Sequence, residues 1–154
     1  MNYKNGFRLA SPLEANGLQS KPAAAVNIVK GQALFDDGAG FATNTVTAFS
    51  VLFLGVAAAN CDNSAGAAGD LNVSVIPPLP QYSFWVKNNS ATVAAATDRN
   101  EIVDLDSNDD IDVTDNTVIG WGFIIDEIDI STAALAAAAG GFVKGRFLAN
   151  PNAS

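Results

Sequence analysis

The chain has 154 residues, a formal net charge of −8, no histidine and one cysteine. Its length suits a single domain with one good core. An acidic balance without a Lys/Arg cluster argues against nucleic acid or an anionic membrane as partner, and the missing histidine removes Ser–His and Cys–His catalysis and any His-bearing zinc site from one subunit.

Only 16% of the residues are charged, against about 25% in an average soluble protein. A surface built instead from Ala, Thr, Ser, Asn and Gly suits protein contact, because short side chains lose little rotamer entropy on burial. The lone thiol, Cys61, excludes an intrachain disulfide. Residues 1–20 hold no apolar leader-like run, and the longest apolar stretch, 49–59, is too short to span a bilayer as a helix. The expectation is a β-rich building block that works through its surfaces and is no enzyme.

Residues 1–25 read as an extended N-terminal arm, set apart from a single β-rich domain over 26–150. Pro, Gly, Asn and Ser punctuate the arm too often for a helix or a long strand. Yet it carries apolar and basic anchors, so it should lie on something, either its own domain or a neighbouring chain. Tyr3, Lys4, Phe7, Arg8, Leu9 and Leu13 are its candidate partner-binding residues.

From Val26 the pattern turns to strands. Val26 to Lys30 leads to a turn at Gly31, and Ala33-Leu34-Phe35 runs into the turn signal Asp36-Asp37-Gly38. The run Phe49 to Val56 is apolar on both faces and predicts a central strand. Residues 60–70 read as a flexible loop, followed by a short strand over 71–76 and an extended Pro-rich segment. Strands are predicted over 82–86, weakly over 92–95, then over 101–105 and, at length, over 118–130. Ser131-Thr132 is placed to cap a short helix over 133–139, stopped by Gly140-Gly141, before a closing strand over 142–148. Asn72, Asn88 and Asn152, in the sequences Asn-Val-Ser, Asn-Asn-Ser and Asn-Ala-Ser, match the glycosylation pattern, which without a secretory route is read as composition only.

Residues 98–129 hold 11 of the 16 acidic side chains and one base, Arg99. Within them, 104–115 resembles an EF-hand calcium loop, with Asp104, Asp106, Asn108, Asp110, Asp112 and Asp115 as tentative Ca²⁺ ligands. Asp109 stands where that loop needs glycine, and neither flank reads as a helix. The alternative is a solvated acidic hairpin between strands 102–105 and 111–113, turning at 107–110. A carboxylate pair for glycoside hydrolysis is disfavoured, because Asp126 and Glu127 are adjacent on a strand and point to opposite faces.

The segments Val-Asn-Ile-Val-Lys-Gly-Gln-Ala-Leu-Phe-Asp-Asp-Gly (26–38), Phe-Leu-Gly-Val-Ala (53–57) and Gly-Phe-Val-Lys-Gly-Arg-Phe-Leu (141–148) resemble head decoration, or cement, proteins of tailed bacteriophages. The resemblance implies an all-β fold, mainly an antiparallel β-barrel or β-sandwich, with at most one short helix near 131–139. It implies a homotrimer made in the host cytoplasm, which binds the major capsid protein on the outer surface of the virion and clamps neighbouring capsomers, with no cofactor required. The arm would then contact the shell or the next subunit. A calcium-binding β-module of an adhesin or of a phage tail or fibre is the alternative, resting on residues 104–115.

Overall fold

A computed structural model describes residues 5–12 and 17–149. The chain is mostly β. Its strands are β1 (Arg8–Ser11), β2 (Leu18–Ser20), β3 (Val26–Ile28), β4 (Ala33–Asp36), β5 (Ala42–Thr43), β6 (Phe53–Ala57) and β7 (Cys61–Asn63). These are followed by β8 (Val73–Ile76), β9 (Ser83–Asn88), β10 (Ile102–Ser107), β11 (Asp110–Asp112), β12 (Trp121–Asp129) and β13 (Phe142–Ala149). One short helix, α1 (Thr132–Ala137), links β12 to β13. Ser131 caps it by accepting the Ala134 N–H at 3.3 Å, as the Ser-Thr signal predicted.

Five strands close a small barrel in the order β9-β11-β10-β12-β13, with β13 returning to β9. Its longest ladder joins β12 to β13, from Trp121↔Ala149 to Asp129↔Phe142. Strand β1 shares an edge of β9 with β11: β1 pairs with residues 83–85 and β11 with residues 87 and 88. Alternation then decides what enters the barrel, since successive side chains of a strand point to opposite faces. Phe84 and Val86, Val103 and Leu105, Phe123 and Ile125, and Val143 and Phe147 are all buried.

The second sheet runs β2-β8-β6-β4-β5. A bridge between Pro22 and Ala42 carries the end of β2 back toward β5. One face of this sheet, with Phe35, Phe53, Val56 and Ile76, joins the barrel residues in one aromatic core. Leu34, Ala57, Val73 and Val75 on the other face pack under the antiparallel pair β3–β7 with Val26, Ile28 and Cys61. The architecture is thus a barrel, a sheet closing over its core, and a two-stranded cover.

Three expected elements differ. The strand predicted over 49–56 begins only at Phe53, because Val51-Leu52 form a turn closed by Phe53 N–H donating to Ser50 O at 3.2 Å. Residues 61–63, expected as loop, pair instead with β3, where Cys61 and Asn63 face inward and Asp62 faces out. The weak strand over 92–95 is absent among the described residues; Ala94 N–H donates to Gly140 O at 3.1 Å and a 3₁₀ turn follows at Ala96–Asp98.

Candidate interaction surface

Tyr3, Lys4 and Leu13 lie outside the described residues. Phe7 is only 3% exposed and meets Phe84, Phe123 and Phe147 at ring-centroid distances of 6.4, 5.6 and 5.2 Å. Its nomination as a partner contact is corrected on that ground: the ring is spent on the chain's own core, where its burial and edge-on contacts are worth most. Leu9 packs half-buried against the same core, and Arg8 pairs in register with Trp85. Over 5–12 and 17–25 the stretch is woven into both sheets through β1, β2 and the Pro22 bridge.

The acidic stretch folds as a hairpin, not as a loop wrapped round a centre. Leu105 and Ile111 pair across β10 and β11 and both point into the core, so apolar alternation dictates strands over most of 102–112. The tentative ligands are thereby separated in role. Asp104 Oδ1 accepts the backbone N–H groups of Phe49 and Leu105 at 2.6 and 2.7 Å, tying the loop 44–52 to β10. Asp110 accepts the Ser107 hydroxyl at 2.6 Å and lies 3.7 Å from the Lys87 ammonium. Asp106 accepts from the Asn89 amide, and Asn108 donates to Asn44 O at 2.6 Å. Asp112 and Asp115 each accept the N–H and hydroxyl of the threonine two residues on, Thr114 and Thr117. Among the described residues no group of three or more acidic or thiol side chains is gathered round a point where a metal ion would sit.

Burial pushes the carboxyls of Asp104 and Asp110 up from their ordinary range, against the hydrogen bonds that pull them down. Asp62 and Asp115 are shifted the other way, each held down chiefly by hydrogen bonds from Ser64 and Thr117. Asp126 and Glu127 are engaged with β13, by Arg146 at 3.3 Å and Lys144 at 2.6 Å. A bulge between Ile125 and Glu127 sets the two carboxylates against different cations. Asn88 is fully buried, and its amide donates to Thr92 O and Gly140 O, so its side chain is a structural tie.

What reaches solvent is more informative. Val51 is 63% exposed, Leu52 45% and Ile119 58%. The loops carrying them meet at Gly120, whose φ is +74° and whose Cβ position lies 2.6 Å from the Val51 backbone nitrogen. Any side chain at 120 would push the loops apart, so glycine lets the loop that carries Ile119 approach the one that carries Val51 and Leu52. The long β12 pattern in the sequence placed Ile119 with the core strand; the left-handed turn at Gly120 delays the strand to Trp121 and leaves Ile119 outside. A separate shallow apolar groove of about 190 Å³ runs along β2 and β8, lined by Leu18, Leu54, Val75 and Pro77. Among the described residues no helix is long and apolar enough to cross a membrane.

Comparison of the chain with protein-family models, curated proteins and solved structures returned no match.

Proposed function

We propose that the chain is a structural virion protein that decorates the outside of a tailed-phage head and stabilises it by clamping neighbouring capsomers. The observation that carries this reading is the exposure of Val51, Leu52 and Ile119 on two loops that meet at Gly120, the first of them tied to β10 through Asp104. Exposed apolar side chains brought to one place on the surface suit a protein contact better than solvent. The three segments resembling decoration proteins lie in the framework, as β3 and β4, β6, and β13, so the likeness concerns the scaffold and leaves the contact loops to set the partner.

In this reading the partners are the major capsid protein and two further copies of the chain. Each copy adds a modest interface, and many copies on a closed shell sum to a large resistance to internal pressure. The test is co-sedimentation of the purified chain with expanded phage heads stripped of their own decoration. Saturable binding is expected, reduced at least tenfold by the double change V51D/L52D while the melting temperature holds. Equal decoration by native and changed protein, or no binding to any expanded head, would overturn the proposal.

A further inference from the structure

The cations of this acidic chain are divided in their use. Lys87, Lys144 and Arg146 are each paired with a carboxylate of the barrel. Arg8, Lys21, Lys30 and Arg99 have no carboxylate partner among the described residues, and two of these, Arg8 and Lys30, line one cavity of about 300 Å³ with Asn5, Gly6, Gln32 and Asp109. Its frame is stiff. Gly6 N–H donates to Asp109 O at 2.9 Å, Phe7 N–H to Gly31 O at 2.7 Å and Ala33 N–H to Asn108 O at 2.6 Å, so three segments are tied together at its base. Gly6, at φ +86°, packs so closely on Gly31 that an added Cβ would stand 3.0 Å from Gly31 O.

Donors predominate around this cavity. Arg8 spends one terminal nitrogen on Asn5 O at 2.9 Å, while its Nε is buried without an acceptor. The Gln32 carbonyl is already taken by Val29 N–H at 2.8 Å and by the Asn44 amide at 2.8 Å, which leaves the Gln32 amide nitrogen as the group available for a ligand. The ammonium of Lys30 has no acceptor among the described residues. Guanidinium, ammonium and amide nitrogen are all donors, and a buried N–H without an acceptor costs stability that an acceptor would restore. The opposing group is Asp109, whose carboxylate accepts the Ser107 hydroxyl at 2.7 Å. One fixed negative charge among two positive ones leaves room for a single carboxylate and disfavours a dianion such as phosphate.

We propose that this cavity, between the lead-in to β1 and the turn before β4, binds a single carboxylate, held by Arg8 and Lys30 with Gln32 as neutral donor. The guanidinium turns slightly on binding, so that Nε gains an acceptor, and the charge-assisted hydrogen bonds supply most of the affinity. The pocket stands apart from the apolar loops, so it would bind whether or not the chain sits on a capsid.

The experiment is an NMR titration of the ¹⁵N-labelled intact chain at low salt with acetyl-Gly-Glu-Gly-amide, acetyl-Gly-Gln-Gly-amide and acetate. The Glu peptide is expected to shift the amide signals of Gly6, Lys30 and Gln32 saturably, and the Gln peptide to leave them in place. Acetate matching the Glu peptide would point to a small free carboxylate as source, whereas acetate failing where the peptide binds would point to an acidic protein segment. Lys30→Gln, at an exposed side chain, should weaken binding roughly tenfold without altering the melt, and Arg8→Gln at least as much. Asp109→Asn should tighten it severalfold. Equal response to the Glu and Gln peptides, no response to any probe, native binding by Lys30→Gln, or weaker binding by Asp109→Asn would each overturn the proposal.

Discussion

The face of the second sheet that meets the barrel and the face under the β3–β7 cover are built from different side chains. Seven of the nine phenylalanines, at 7, 35, 49, 53, 84, 123 and 147, stack in the core shared with the barrel. Under the cover the buried apolar residues are Ala, Val, Ile, Leu and the single Cys, with Phe41 only partly covered. The difference teaches where cooperativity resides. Phe147 alone meets five rings, those of Phe7, Phe49, Phe53, Phe84 and Phe123, and these come from the residue just before β1, from β6, β9 and β12, and from the loop before β6. The cover core gathers only residues of one sheet and of the strand pair that covers it.

The largest expected effect follows from that hub. Phe147→Ala should cost about 4 kcal/mol in a denaturant melt, and Ile28→Val, in the cover core, about 1 kcal/mol. Comparable losses from the two changes would erase the distinction between the cores. Next comes Phe7→Ala, expected to cost about 3 kcal/mol; a melt unchanged from the native chain would mean that the stretch before β2 is an appendage and not part of the barrel.

Smaller effects probe the junction between the loops and the barrel. Asp104→Ala leaves the Phe49 and Leu105 N–H groups without their acceptor and should cost about 1–3 kcal/mol. Asp104→Asn keeps an oxygen at that position and should cost less than half as much. An equal loss from both changes would show that charge, and not hydrogen bonding, holds the loop.

The smallest effect is in pH. Because burial raises Asp104 and Asp110, the folded chain holds those protons at a pH where the unfolded chain has released them. Their contribution to stability is therefore complete below the ordinary carboxylate range, about 3.9, and is lost as pH rises through their raised values. Asp62 and Asp115 act in the opposite sense: their contribution is present above the ordinary range and is lost as pH falls through their lowered values. Melting temperature should hold or rise on acidification from neutrality toward pH 4.5, and Asp104→Asn should flatten the rise. A steady fall over that window in the native chain would contradict this assignment.

Much of the framework was legible in the residues because it rests on local pattern. Alternation around Val103, Leu105 and Ile111, the β-branched and aromatic run before Ile130, and Ser131 ahead of an alanine run are signals that a strand or a helix cap carries by itself. The turn at 36–40 was legible for the same reason, since Asp36 and Asp37 accept N–H groups two and four residues on. The site was less legible. Even spacing of oxygen-bearing residues over 104–115 suggested a cation loop, but spacing along the chain says nothing about facing. Pairing of β10 with β11 turned Asp104 toward the loop 44–52 and Asp110 toward Lys87.

By itself, then, the sequence determined the all-β class, the acidic balance and the absence of histidine chemistry, each of which depends on composition or on neighbours a few residues apart; it offered the hairpin at 102–112 beside a cation loop, and strand pairing decided between them. Tertiary structure alone decided that Phe7 belongs to the barrel, that Ile119 reaches solvent on a loop that approaches Val51, and that Arg8 and Lys30 line one cavity. Those outcomes hang on contacts between segments 22 to about 140 residues apart, which no local pattern encodes. They follow from closure of the barrel, because burying the rings at its centre forces the segments that carry them together.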